Sequence, residues 1–282
     1  LIGITGAALV AGIVGRPVTH SLSPVLHNAW IAAAGLNAAY VPLAPAAGGF
    51  AALAEGLRGG VIRGVNVTIP FKEDALACAD EASDRARLAG ASNLLLFRED
   101  GSIFADNTDG LGMLAALATQ APGFDPKAGP AVILGAGGAA RGAAAALALA
   151  GAPDIRIVNR TADRAFALAA DVGGPVRAAD LEAALANANV IINATALGLN
   201  GGRGPEADLA LAPDAAVVMD MVYKPLRTEF LDRAQARGLR TVDGLEMLIR
   251  QAVPSFEAFF GVAPPVDLDV RALALKSIGE TA

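Results

Sequence analysis

The stretch Ala131-Val132-Ile133-Leu134-Gly135-Ala136-Gly137-Gly138-Ala139-Ala140 decides the fold. Its first four residues read as a short buried strand. The next six carry the spacing G-x-G-x-x-G/A, and an Ala-rich helix follows to about Ala150. Strand, tight turn and helix in that order form the dinucleotide-binding fingerprint. Gly135 permits the turn, Gly137 lets the backbone approach a pyrophosphate, and the small Ala140 lets the helix pack close to the sheet. The helix N-terminus presents free N–H groups and the positive end of its dipole to phosphate. A second strand, Ile155 to Val158, completes the unit, and more than a hundred residues precede it, enough for a separate domain.

The end of that second strand bears on which dinucleotide binds. A site for the unphosphorylated cofactor carries Asp or Glu roughly 20 residues past the glycines, bonded to the ribose 2′-OH. Here the strand ends Asn159-Arg160-Thr161, with Arg164 a turn later; Asp163, the nearby carboxylate, falls past the strand in the following turn. Arg160 can stack on an adenine and make paired hydrogen bonds to a 2′-phosphate. A missing acid and a gained guanidinium both point to NADP, the alternative being two solvated arginines at a helix start.

Composition narrows the class. The chain has 282 residues, room for two domains. Ala supplies much of its hydrophobic fraction, and no run of about 18 apolar residues marks a membrane span. The uncharged stretch Leu1 to Gly15 lacks a basic start, so it reads as a buried strand rather than a signal peptide. The chain opens without Met, and a few leading residues are expected to be missing. Net charge is −6 with no basic block, which argues against a nucleic-acid partner. The single Cys78 excludes an internal disulfide and fits a reducing cytoplasm. His20 and His27 have no cysteine cluster nearby, so no metal site is expected. Nothing separates a monomer from a homodimer.

The first part of the chain alternates strand and helix, which implies a mostly parallel sheet flanked by helices. Strands are predicted at Val10 to Gly15, Ala39 to Leu43 and Val61 to Thr68, with a hairpin of Asn93 to Phe97 and Ser102 to Ala105. Helices are predicted at Pro24 to Ala34 (capped by Ser23), Gly49 to Arg58, Phe71 to Ala77 and Glu81 to Ala89. A connecting helix runs from Asp109 to about Thr119. Later strands are Val190 to Asn193 and Ala216 to Asp220, and a Gly-rich loop from Leu197 to Pro205 fits either a lid or a mobile surface loop. Helices at Leu245 to Phe260, with a kink or break at Pro254, and Leu268 to Ile278 are expected to return to the first domain. The expected architecture is α/β with two domains. Residues 1–108, completed by 244–282, form a mixed, mostly parallel substrate-binding and catalytic domain; residues 109–243 form a Rossmann-like NADP-binding domain.

Three polar clusters sit at predicted strand ends, where α/β sheets bind ligands. Ser21 and Ser23, two hydroxyls beside a helix start, suit an anion such as a carboxylate, or simply turn and cap chemistry. In Gly64-Val65-Asn66-Val67-Thr68-Ile69-Pro70-Phe71-Lys72, strand alternation puts Asn66 and Thr68 on one face, and Lys72 follows on the next helix. Asp106-Asn107-Thr108-Asp109-Gly110 follows the hairpin and opens the connecting helix.

Taken in order, Ser-x-Ser-Pro, Asn-Val-Thr-Ile-Pro-Phe-Lys, Asn-Thr-Asp-Gly, Gly-Ala-Gly-Gly-Ala and Asn-Arg-Thr make the chain resemble the shikimate dehydrogenase family nearly end to end, from His20 to Leu245. The resemblance implies NADPH-dependent, reversible reduction of 3-dehydroshikimate to shikimate in aromatic amino-acid synthesis. It implies Lys72 and Asp109 as the catalytic pair, with Ser21, Ser23 and Tyr223 near the substrate carboxylate and Thr68, Asn93 and Gln251 on its ring hydroxyls. It implies Gly135, Ala136, Gly137, Gly138 and Ala139 at the pyrophosphate, and Asn159, Arg160, Thr161 and Arg164 at the 2′-phosphate. Thr195 and the backbone around Gly244 would lie near the ribose and nicotinamide. Leu22 stands where relatives often have a basic residue, and Ser92 and Leu94 where Val and Thr are frequent; no implied catalytic residue is replaced. A quinate/shikimate dehydrogenase of broader cofactor use and a non-catalytic NADP-binding regulatory module are the competing readings. Arg160 weighs against the first, and the retention of Lys72 and Asp109 against the second.

Overall fold

A computed structural model describes residues 3–280. The outermost residues of the expected domain limits, 1–2 and 281–282, lie outside the described residues. The chain divides into two compact units: Leu1–Thr108 with Gln251–Ala282, and Asp109–Arg250.

The first unit contains β1 (Leu9–Val14), α1 (Ser23–Ala33), β2 (Ala38–Leu43), α2 (Phe50–Gly56), β3 (Ile62–Val67), α3 (Lys72–Ala77), β4 (Glu81–Ala82), α4 (Asp84–Ala89), β5 (Leu94–Phe97) and β6 (Ile103–Asp106). Its sheet runs β2-β1-β3-β5-β6-β4. The β1–β2, β1–β3 and β4–β6 pairs are parallel; β3–β5 and β5–β6 are antiparallel. The β5–β6 pair is antiparallel because Asp100-Gly101 closes a hairpin between them, with Gly101 at φ 84°, a value glycine adopts freely. Val14, Val65, Val67, Leu95 and Ile103 fill the core beneath α2 and α3 with Phe50 stacked on Phe71. At the sheet edge, Asn28 of α1 accepts from the backbone N–H of Tyr40 (3.0 Å) and donates to its carbonyl (2.8 Å).

The second unit contains α5 (Asp109–Gln120), β7 (Ala131–Leu134), α6 (Gly138–Leu149), β8 (Ile155–Val158), α7 (Ala162–Val172), β9 (Val176–Ala178), α8 (Leu181–Leu185), β10 (Val190–Asn193), β11 (Val217–Asp220), α9 (Glu229–Ala236) and β12 (Arg240–Val242). Its six strands are all parallel, in the order β12-β11-β10-β7-β8-β9. That is the doubly wound order with its reversal between β7 and β10, where ligands bind in such sheets. The central strands are buried on both faces, as their unbroken apolar runs require. Helix α10 (Gly244–Phe260) spans the return from the second unit to the first, and α11 (Val270–Ile278) closes the chain. The α/β class with two mixed or parallel sheets agrees with the sequence.

Several local expectations are corrected. Residues 81–89 do not form one helix: Glu81–Ala82 pair with β6, and Ser83 then caps α4, its hydroxyl accepting from Ala86 N–H at 3.2 Å. Ser23 is not the cap of α1. It is the first helical residue, and the cap position falls to Leu22, which makes no side-chain bond there. Pro254 lies inside α10, which remains one helix, although proline removes the bond to the carbonyl of Arg250. Asp163 belongs to the first turn of α7. Among the described residues, no helix is long and apolar enough to cross a membrane, and no group of three or more His, Cys, Asp or Glu could hold a metal ion.

Candidate active site

In the first unit the polar clusters converge at the ends of β1, β3 and β6. Their approach depends on Gly15: a Cβ there would lie 2.5 Å from Cγ2 of Thr68. Backbone bonds from Thr68 N–H to Val14 (2.9 Å) and from Arg16 N–H to Ile69 (3.0 Å) lock the two strand ends together. Ser21 accepts from the N–H of Ser23 at 3.2 Å, a local turn. Ser23, buried, hydrogen-bonds the phenolic oxygen of Tyr40, whose own hydroxyl donates to Asn66 Oδ1 at 2.8 Å. Burial pushes the Tyr40 phenol well above its ordinary value, so it is a neutral donor. Lys72 is the half-buried first residue of α3, and its carbonyl accepts from Ser92 N–H at 2.8 Å.

Asn93 is the hub of this half. Its Nδ2 donates to Thr108 Oγ1 (2.9 Å) and Gln251 Oε1 (3.2 Å), and its Oδ1 accepts from Thr108 N–H (2.7 Å). Asn93, Thr108 and Gln251 are buried, joining β5, the end of β6 and α10. Asn66 donates to the Asn93 carbonyl (3.2 Å) and to Ser255 Oγ (2.8 Å). Asp106, one residue before Asn107-Thr108, is gripped from two sides. Arg85 makes a bidentate pair with it, and Ser83 Oγ and Asn107 N–H donate to Oδ1 at 2.6 and 2.7 Å. Sequence reasoning missed Arg85 and Asp106 as supports, and Thr108 as the partner of Asn93. The pairings span 15 to 23 residues, so no local pattern encodes them.

The second unit begins at Asp109, half-buried at the start of α5. Gly110 lets α5 lie on α6: a Cβ there would come within 2.4 Å of Ala146 Cβ. Gly135 has φ 114°, and its Cβ would meet Thr195 Cγ2 at 3.0 Å. Gly137 and Gly138 have open space where a Cβ would stand, and Ala139 is exposed beside them. The first N–H groups of α6 therefore face an open turn with Ala136 alongside. At the end of β8, Asn159 Nδ2 donates to Thr161 O at 2.9 Å, fixing the turn that carries Arg160. Arg160 and Arg164 are exposed, and neither has an ion-pair partner among the described residues. Arginines at 58, 63, 85, 98, 141, 156, 177, 227, 237 and 250 hold carboxylates and those at 16, 87, 233 and 240 bond backbone carbonyls, whereas Arg160 and Arg164, like Arg203, do neither among the described residues. Two idle guanidiniums and a row of free N–H groups suit a ligand with phosphates at both places.

Thr195 follows β10, and Tyr223 follows β11, its phenol raised by burial. Gly244 opens α10 against Met221 and Val222: a Cβ there would lie 2.5 Å from the Met221 carbonyl oxygen. Gly135, Thr195, Tyr223 and Gly244 thus all stand at the C-terminal edge of β7, β10 and β11.

Family models match three segments. Residues 13–95 match the shikimate dehydrogenase substrate binding domain, residues 117–199 shikimate/quinate 5-dehydrogenase, and residues 244–273 the shikimate 5′-dehydrogenase C-terminal domain. A curated relative from Caulobacter vibrioides, shikimate dehydrogenase (NADP(+)), is 67% identical over 98% of both chains. The solved shikimate 5-dehydrogenase of Thermus thermophilus, in complex with NADP(H) and shikimate, is 37% identical with a TM-score of 0.86, covering 95% of this chain and 99% of that one. The quinate dehydrogenase of Corynebacterium glutamicum, in complex with NAD, is 29% identical with a TM-score of 0.85, covering 96% and 99%. With identity at this level over nearly the whole length, and with matched segments in both units, the chain belongs to the shikimate dehydrogenase family.

Proposed function

We propose that the protein catalyses the reversible reduction of 3-dehydroshikimate to shikimate with NADPH, a step in making aromatic amino acids. The observation that carries the cofactor choice is the end of β8, which offers Arg160 and Arg164 without carboxylate partners among the described residues and no acid at the strand end. The open turn at Gly137 and Gly138 fits the pyrophosphate of the same cofactor. When bound, NADPH supplies the hydride. Asn159 bonds the Thr161 carbonyl and so holds the turn from which Arg160 would reach the 2′-phosphate, and Thr195 and the backbone at Gly244 would meet the ribose and nicotinamide.

The first unit supplies the substrate groups and the lysine. Ser21 and Ser23 bind the carboxylate, and Tyr223 is assigned to it as well. Thr68, Asn93 and Gln251 take the ring hydroxyls. Negative charge develops on the ketone oxygen as the carbon accepts hydride. Lys72 stabilises that charge through Nζ–H and then gives up the proton, so the product is the alcohol. In the reverse direction neutral Lys72 accepts the proton, while Asp109 orients a substrate hydroxyl. The unit Leu1–Thr108 with Gln251–Ala282 is thus assigned substrate binding and catalysis, and Asp109–Arg250, seven residues longer than the 109–243 expected from the sequence, NADP binding. The partners are small molecules. The half-buried Cys78 fits a reducing cytoplasm.

The deciding experiment is a spectrophotometric assay of shikimate and quinate, each with NADP and NAD. Rapid turnover of shikimate with NADP alone is expected. Comparable turnover of quinate or with NAD would move the protein to the broader branch of the family, and silence in all four would defeat the enzymatic reading.

A further inference from the structure

Asp220 and Asn193 end adjacent parallel strands in direct register, and both side chains are fully buried. No ion pair holds Asp220 among the described residues, and burial pushes its carboxyl above the ordinary carboxylate range. Burying such a group without a cation is unfavourable unless each of its oxygens is hydrogen-bonded. Each is. Oδ1 accepts from Asn193 Nδ2 (2.9 Å) and Val222 N–H (3.0 Å), and Oδ2 accepts from Thr228 Oγ1 (2.6 Å).

Asn193 is likewise saturated. Its Nδ2 donates to Asp220 and to the carbonyl of Leu197 (3.0 Å); its Oδ1 accepts from Thr195 N–H (3.0 Å) and Thr195 Oγ1 (2.7 Å). Asp220, a pure acceptor when ionised, dictates which way the Asn193 amide faces. The amide then compels Thr195 to point its O–H inward. Leu197 N–H donates to the same hydroxyl oxygen at 3.0 Å, so Thr195 has one lone pair left. Toward any ligand it is an acceptor only. On the other side, Asp220 pins the N–H of Val222, immediately before Tyr223, and the hydroxyl of Thr228, which caps α9.

We propose that Asp220 is a positioning residue for hydride transfer: through Asn193 it presets Thr195 as an acceptor for a cofactor ribose hydroxyl, and through Val222 it fixes the segment bearing Tyr223. The proposal rests on the functional reading above. One buried carboxylate thereby ties the two loops after β10 and β11 that carry these groups, and it does so before any ligand arrives. A polar network satisfied at every atom fixes geometry more than it adds stability.

The test compares wild type with Asp220→Ala, Asp220→Asn, Thr195→Val and the Asp220→Ala/Thr195→Val double variant, measuring Tm, kcat and the KM of NADP and shikimate. Asp220→Ala is expected to raise the NADP KM and lower kcat by about tenfold or more, as small misplacements do. Asp220→Asn keeps the Oδ1 acceptor and is expected to stay within about threefold of wild type, the scale of one altered neutral hydrogen bond. The effects of Asp220→Ala and Thr195→Val on the NADP KM should be less than multiplicative in the double variant. Should Asp220→Ala fail to fold, Asp220→Cys keeps the volume, loses both oxygens, and is read in the same way. A folded Ala or Cys variant with a lowered Tm but unchanged kinetic constants overturns the proposal. So does an Asn variant as impaired as Ala, or fully multiplicative effects. A silent wild type would instead defeat the functional reading, which keeps the two failures apart.

Discussion

Lys72 is reached by two routes, the strand end at Thr68 and the backbone bond from Ser92, so its main chain is held whatever its side chain does. Lys72→Ala should therefore fold normally and lose about 10²–10⁴-fold in kcat, the range for a general acid–base group, with shikimate KM little changed. Steady-state kinetics beside a thermal melt would check this, and an unchanged kcat would remove Lys72 from the mechanism. Among the described residues Arg160 has no partner to release, so Arg160→Ala should leave Tm alone and weaken NADP far more than NAD. Equal losses for both cofactors would defeat the 2′-phosphate assignment. Most residues proposed to face a ligand drew attention in the sequence because they stand in short motifs at strand ends, whereas Tyr223 and Gln251, the latter inside α10, came only from the family resemblance. Arg85, Asp106, Thr108, Asn193 and Asp220 were not read as site supports. What they do depends on partners many residues away, and a lone Asp at a strand end reads as a turn residue.

At the level of elements, two glycines of similar appearance have opposite duties. Gly244 abuts backbone: its missing Cβ would stand 2.5 Å from one carbonyl oxygen and 2.8 Å from the next. Gly244→Ala must push α10 away from Met221 and Val222, at about 1–3 kcal/mol of stability by the usual scale of overpacking. Gly137 has φ −98° and open space beyond, so Gly137→Ala should keep its Tm and raise the NADP KM. Differential scanning calorimetry with cofactor titration separates the two; a Tm loss at Gly137 or none at Gly244 would contradict the assignment. The strands were readable where they are buried on both faces and so run largely apolar, as in β7, β10 and β11. The short edge strands β9 and β12 were not read. Val176-Arg177-Ala178 and Arg240-Thr241-Val242 are three residues each, half polar, and become strands only by pairing with β8 and β11. Helix α9 was missed for a similar reason, since its polar residues outnumber the three that reach the core.

For the molecule as a whole, burial of His27 is a source of acid sensitivity. His27 is fully buried in the first unit, stacked 4.1 Å from Tyr40 and flanked by Trp30, Phe256 and Phe259, and neither ring nitrogen has a hydrogen-bond partner among the described residues. Burial lowers its pKa from 6.5 to about 3. The unfolded chain therefore binds a proton that the folded one refuses. The stability this residue confers is complete above about pH 6.5 and is lost as pH falls toward 3, on the order of 5 kcal/mol in all. Melts of wild type and His27→Phe between about pH 4 and 7 should show the flatter profile in the variant; parallel profiles would refute the assignment. The sheet of that unit ends at β2, an open row of amides and carbonyls of the kind on which a foreign strand can grow. Asn28 reaches over and occupies both main-chain groups of Tyr40, mimicking with one carboxamide the neighbour that a further strand would be. A template already filled at its middle cannot seed runaway polymerisation. Asn28→Leu should therefore leave the kinetics intact while bringing on turbidity at lower concentration, which light scattering would detect.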